Sequence, residues 1–81
     1  MSILRMPAVK AETGYRSHAS IYSRVKDGTF TNPVKLSERS VGWPDHEVRA
    51  INAARIAGHS DQQIKALVAR LHAKRIELAV A

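Results

Sequence analysis

Eighty-one residues make one small domain with room for a modest core but not for a core plus an enclosed substrate cavity, and the absence of cysteine excludes disulfides and thiolate zinc sites. Thirteen Lys and Arg against seven Asp and Glu give a formal net charge of +6 and a sequence pI near 10.3, which favours a polyanionic partner. No apolar run approaches the roughly 20 residues of a membrane span and the first residues lack the apolar stretch of a secretory signal, so the expectation is a soluble, cytoplasmic protein that is not an enzyme.

The chain opens on a short apolar lead-in over residues 2–6. Pro7 suits the first position of a helix, where its missing N–H has no partner to lose, and a first helix is predicted over residues 7–13. Its apolar content, Ala8 and Val9, is too small for independent stability, so it must lean on the next helix and on Ile3 and Leu4. Lys10 and Arg16, on its exposed side, are candidate phosphate contacts.

Gly14 can take the left-handed conformation that ends a helix, and Ser17 can accept a hydrogen bond from a free N–H at the start of the next. Residues 13–26 therefore read as the turn and second helix of a helix-turn-helix. At about 100° per residue, Ile21, Tyr22 and Val25 share one side with His18, while Ala19, Ser20, Ser23 and Arg24 share the other. The second side is the candidate DNA-reading face. Small hydroxyl residues let a helix approach a groove floor, and one Arg reaches a guanine edge bidentately or clamps a phosphate. The competing reading is an amphipathic surface helix whose Ser20, Ser23 and Arg24 are simply solvated.

Asp27-Gly28 breaks the helix. Beyond it, Val34-Lys35-Leu36 and Ser40-Val41, joined by Ser37-Glu38-Arg39, predict a β-hairpin with Pro33 at its entrance and Phe30 beneath it. A hairpin directly after a recognition helix is a wing, which can press a basic tip onto the backbone or into the minor groove; Arg39 is that tip and Lys35 lies beside it. The alternative is a solvated turn in which Arg39 pairs loosely with Glu38 or with nothing. Trp43, the one tryptophan, is assigned to the core, where so large a ring closes a small domain.

A third helix is predicted over residues 44–57, with Asp45 and Glu47 at its positive dipole end and Val48, Ile51 and Ala54 or Arg55 facing inward. Gly58 ends it, and Ser60-Asp61-Gln62-Gln63 is a capping-box pattern that starts a fourth helix reaching to about residue 77, followed by a frayed tail over 78–81. Ile64, Leu67, Val68 and Leu71 form an apolar stripe on this helix. It either folds back on the third helix or serves as an oligomer interface.

Catalytic and metal patterns fail. His46-Glu47 begins an H-E-x-x-H zinc motif, but Ala50 stands where the second His is required, and there is no glycine-rich phosphate loop or nucleophile elbow. No metal and no cofactor is expected. The positive charge leans forward: residues 1–42 carry seven basic and three acidic side chains, residues 43–81 six and four.

From Ile3 to Ala57 the chain resembles the AlpA family of prophage transcriptional regulators, relatives of excisionase and MerR-type winged helix-turn-helix proteins. The resemblance lies in ILRMPAVKAETG, in the S-x-x-S-I-Y-S-R spacing of Ser17 to Arg24, and in DGTFTNPVKLSERSVGW followed by Glu47-Val48. It implies DNA binding through the second helix and wing, control of prophage or island genes or help to an integrase, and a contact region at Ser17, His18, Ser20, Tyr22, Arg24, Lys35 and Arg39. Two departures from the family pattern bear on the entry angle of the recognition helix and on base preference, respectively. The turn Gly14-Tyr15-Arg16-Ser17 is one residue longer than the common family pattern, and His18 and Ala19 stand where the family often has Arg and Ser.

The expected fold is mostly α with a small β-hairpin, a winged helix-turn-helix over residues 1–57 followed by a C-terminal helical extension over 58–81. The expected function is sequence-specific binding of double-stranded DNA as a regulator of a prophage or integrative element, with Arg16, Ser17, His18, Ser20, Ser23, Arg24, Lys35 and Arg39 at the DNA. An integrase or RNA polymerase is a candidate further partner, and the C-terminal helix a candidate homodimer contact. The near alternative is an excisionase-like factor that bends attachment-site DNA. The alternative from another class is a protein-interaction module built on the fourth helix.

Overall fold

The computed structural model describes residues 2–80, with side chains through residue 78. Its elements are β1 (Ile3–Leu4), α1 (Met6–Thr13), α2 (His18–Asp27), β2 (Val34–Ser37), β3 (Ser40–Pro44), α3 (Asp45–Ile56) and α4 (Asp61–Val80). Four helices surround a three-stranded antiparallel sheet in the order β1-β3-β2. The expected wing is present, with Val34 opposite Gly42 and Lys35 opposite Val41.

The apolar lead-in is itself a strand. Ile3 pairs with Pro44 and Leu4 with Trp43, so the chain's beginning zips onto the far side of the wing's second strand. Asp45 N–H donates to the Ser2 carbonyl at 2.8 Å, and the Asp45 carboxylate accepts from the Ser2 N–H and hydroxyl at 3.1 Å each. A two-residue strand carries no alternation of its own; its partner forty residues later defines it.

The helix punctuation follows the expected residues. Gly14 sits at φ 81° and donates to the Lys10 carbonyl, ending α1. Ser17 caps α2, its Oγ accepting from the Ser20 N–H at 3.1 Å. Ser60 and Gln63 close a reciprocal capping box at the start of α4, at 2.8 and 3.2 Å. The helix continues through Val80, so it extends past the expected end near residue 77; of the expected frayed tail, Ala81 lies outside the described residues.

One core joins all of this. Val9 of α1, Ile21 of α2, Phe30, Trp43 of β3, Val48, Ile51 and Ala54 of α3, and Ile64, Val68 and Leu71 of α4 are buried together. The Trp43 ring is fully buried, its Nε1–H donates to the Thr31 carbonyl at 2.8 Å, and Phe30 and Tyr22 pack their rings at 6.1 and 6.0 Å from it. Partner-making for the indole N–H is what makes full burial of that ring tolerable.

The stripe on α4 is accounted for within the chain. Ile64, Val68 and Leu71 are at most 8 % exposed and Leu67 is half-buried against them, so of its two expected destinations the stripe takes the fold-back onto α3 and is not a free surface. The expected boundary at residue 57 is accordingly a turn within one core. α4 also reaches the loop before the wing: Arg75 forks onto Glu47 of α3 and donates to the Asn32 carbonyl, and His72 Nε2 accepts from the Asn32 N–H at 3.0 Å.

Candidate nucleic-acid interface

Ile21 is the anchor that orients α2. It is fully buried, Val25 one turn later is half-buried, and their burial turns Ala19, Ser20 and Ser23 outward. Tyr22, expected on the inner side, is 42 % exposed while its ring edge rests on Trp43. His18, placed by helical periodicity beside the apolar residues, is exposed instead. It is the first residue of α2, at the helix's end, where periodicity assigns a side without requiring that a neighbour cover it.

Ala19, Ser20, Ser23 and Arg24 line one open concavity of about 420 Å³ together with Tyr15 from the preceding turn. The Arg24 guanidinium carbon stands 5.5 Å from the centre of the Tyr15 ring. Ser20 Oγ lies 3.0 Å from Ser17 Oγ, so the capping serine and the outward serine share a hydrogen bond at the rim. An aromatic wall, a methyl, two hydroxyls and a planar cation form a surface that can accept hydrogen bonds, donate bidentately and contact apolar edges, the set needed to read base edges.

The structure brings Ser20, Ser23 and Arg24 to this concavity. Arg16 and His18 are exposed outside its lining, and Ser17 is engaged as the helix cap. Lys35 and Arg39 are exposed on the wing, a separate element, with Leu36, Ser37 and Glu38 exposed around them. Among the described residues the ion pairs are Arg49–Asp45 and Arg75–Glu47, so the seven basic side chains of residues 1–42 are free of carboxylates and Arg39 does not pair with Glu38.

Two residues of this surface carried no signal strong enough to single out. Tyr15 sits in an irregular turn, where periodicity says nothing; its N–H donates to Thr13 Oγ1 at 3.4 Å and its ring packs partly against the core. Arg5 is the single residue between β1 and α1, and its Nη2 reaches Ser40 Oγ at the wing's return strand at 3.4 Å. The β1–β3 pairing places it there, and that pairing is long-range.

Among the described residues no helix is long and apolar enough to cross a membrane, and no group of three or more His, Asp or Glu is placed to hold a metal ion. The family model described as Prophage CP4-57 regulatory protein (AlpA) matches residues 2–55, which takes in β1, both helices of the helix-turn-helix, the wing and nearly all of α3. No curated protein and no solved structure matches the chain.

Proposed function

Because the chain belongs to the AlpA family of prophage regulatory proteins, we propose that it binds double-stranded DNA sequence-specifically and regulates genes of a prophage or integrative element. The observation that carries this reading is the α2 concavity, where Arg24, unpaired with any carboxylate among the described residues, lies beside Ser20 and Ser23 on the outward side of a helix anchored by Ile21. Arg24, Ser20 and Ser23 read base edges from the major groove. Ser17 and His18 at the start of α2 and Arg16 before it meet the phosphate backbone, where a helix N-terminus suits an anion. Lys35 and Arg39 bring the wing to the same backbone and supply the salt-dependent part of the affinity.

The reading as a protein-interaction module drew on the apolar stripe of α4, and that stripe is buried in this chain's own core. An excision factor would use the same DNA contacts and add bending. The deciding experiment is fluorescence anisotropy on labelled duplexes tiling the DNA around the protein's own gene, with excess random competitor at two salt concentrations. Competitor-resistant binding to one tile is expected, and a circular-permutation assay on that tile separates a bending factor from a simple regulator. Uniform binding erased by salt would reduce the interface to a basic surface.

A further inference from the structure

We propose that Tyr15 is a specificity-determining positioning residue: its ring holds the Arg24 guanidinium in the orientation that reads a base pair. The inference rests on the DNA-binding reading and deepens it. The ring has two jobs at once. It is partly buried against the core, which fixes it, and it lies under the Arg24 guanidinium at 5.5 Å, so a rigid surface backs a flexible cation. The backbone before it is fixed too, by the Gly14 cap and by the Thr13 hydroxyl, which accepts from the Tyr15 N–H and donates at 2.7 Å to the Val9 carbonyl.

An arginine on an exposed helix face samples many rotamers, and a bidentate contact to a guanine edge admits few. A cation held over an aromatic face is restricted in position before DNA arrives, and because the π face offers the cation attraction without a strong hydrogen-bond acceptor, its N–H donors stay free for a base edge. No carboxylate competes for the same cation among the described residues. Tyr15 and Arg24 also line the same concavity with Ala19, Ser20 and Ser23, so the restricted fork is held where the small side chains allow close approach. Order gained in the free protein appears as discrimination at the one base pair Arg24 reads.

The test begins with selection from a randomised duplex library by the wild-type protein, followed by anisotropy on the winning duplex and on its single-base-pair variants. Y15L, which keeps apolar bulk without a π face, is expected to bind the winning duplex about two- to fivefold more weakly and to lose preference at one base pair, while Y15F keeps both. In an R24A background Y15L is expected to change nothing further, as a double-mutant cycle requires of coupled residues. Equal binding by Y15L and wild type would overturn the proposal. So would equal losses in Y15L and Y15F, which would mark a hydroxyl contact, or a Y15L loss that persists without Arg24. Should Y15L not fold by circular dichroism, the Arg24 Hε resonance of the wild type decides: an upfield ring-current displacement supports stacking, and a random-coil position overturns it. Failure of the wild type to select any duplex would instead overturn the DNA-binding reading itself, before any variant is made.

Discussion

Arg75, near the end of α4, forks onto Glu47 in the first turn of α3: its Nε donates to one carboxylate oxygen at 2.7 Å and its Nη2 to the other, and Nη2 also donates to the Asn32 carbonyl at 2.8 Å. The Glu47 side chain has no solvent exposure and that of Arg75 has 25 %. A carboxylate so placed is tolerable only with its charge and lone pairs answered. Arg75→Ala removes the answer and is expected to destabilise the fold by about 3 kcal/mol, most of it the cost of an uncompensated buried charge. Pairing it with Glu47→Gln should recover much of the loss, since the charge then goes as well. Urea unfolding of the two single variants and the double variant checks this; additive losses would show that the pair is not coupled.

The same network predicts a pH dependence through His72. Its Nε2 accepts from the Asn32 N–H, so the bond requires the neutral ring. Burial, reinforced by the neighbouring Arg75 and opposed by Glu47, holds the His72 pKa below its ordinary 6.5. A His depressed on folding takes up its proton more readily in the unfolded chain. Stability from this site is therefore complete above pH 6.5 and declines as the pH falls from there toward the folded value. Asp45 acts in a separate, more acid window. Its carboxylate is held below 3.8, first by the Ser2 N–H, and its contribution is lost as the pH falls through and below that value. Urea midpoints between pH 8 and 5 should fall for the wild type and fall less for His72→Gln, which offers a neutral acceptor; parallel curves would remove His72 from the account.

How much of this was readable in advance follows from the range over which each signal acts. Gly14, Ser17, Asp27-Gly28 and the Ser60/Gln63 box each fix a boundary within four residues of themselves, and the structure places α1, α2 and α4 accordingly. The hairpin was legible for the same reason. β1 was not, because Ile3 and Leu4 become a strand only by meeting Pro44 and Trp43. Glu47 reads locally as a helix-dipole partner; that it is buried depends on Arg75, 28 residues on. On α2, periodicity put Ser20, Ser23 and Arg24 on one side, where they line one concavity, but put the exposed His18 with the apolar residues and was silent on Tyr15 in the turn.

Gly42 fixes how closely β1 lies on the wing. A Cβ there would press into Ile3 Cγ2 and stand 3.0 Å from the Leu4 carbonyl oxygen and 3.3 Å from Leu36 Cδ1. Its backbone lies in the extended range, so the constraint is steric and not conformational. Gly42→Ala is expected to cost about 1 to 3 kcal/mol, the range for overpacking a filled site. Ile3→Ala should relieve part of that cost in the double variant, leaving the fixed Leu4 carbonyl as the remainder. Thermal unfolding of the four proteins measures it, and an unrelieved double variant would assign the whole cost to the backbone contact.

Because Ile64, Val68 and Leu71 complete the core around Ile51 and Trp43, a chain ending at residue 57 should not fold. Truncation strips three buried side chains, each worth about 1.5 to 3 kcal/mol of burial, from a domain whose whole stability is of order 5 to 15 kcal/mol, and leaves Glu47 without Arg75. The expected readout is loss of cooperative thermal unfolding by circular dichroism. A cooperative transition in residues 1–57 would show instead that α4 is an appendage.

Arg24 and Arg39 should fail differently at DNA. Arg24 stands in the α2 concavity, where a base-reading guanidinium discriminates by about 1 to 3 kcal/mol, so Arg24→Ala should weaken binding to the preferred duplex by that amount and leave binding to random duplex nearly unchanged. Arg39 stands exposed in the turn between β2 and β3, where a cation meets phosphate. Arg39→Ala should therefore weaken binding to every duplex alike and reduce the slope of log affinity against log salt by about one. Anisotropy titrations at four salt concentrations on preferred and random duplexes resolve both effects. Equal losses on the two duplexes for Arg24→Ala would make it a phosphate contact and move base reading to the serines or the wing. A salt slope unchanged in Arg39→Ala would take the wing tip off the backbone.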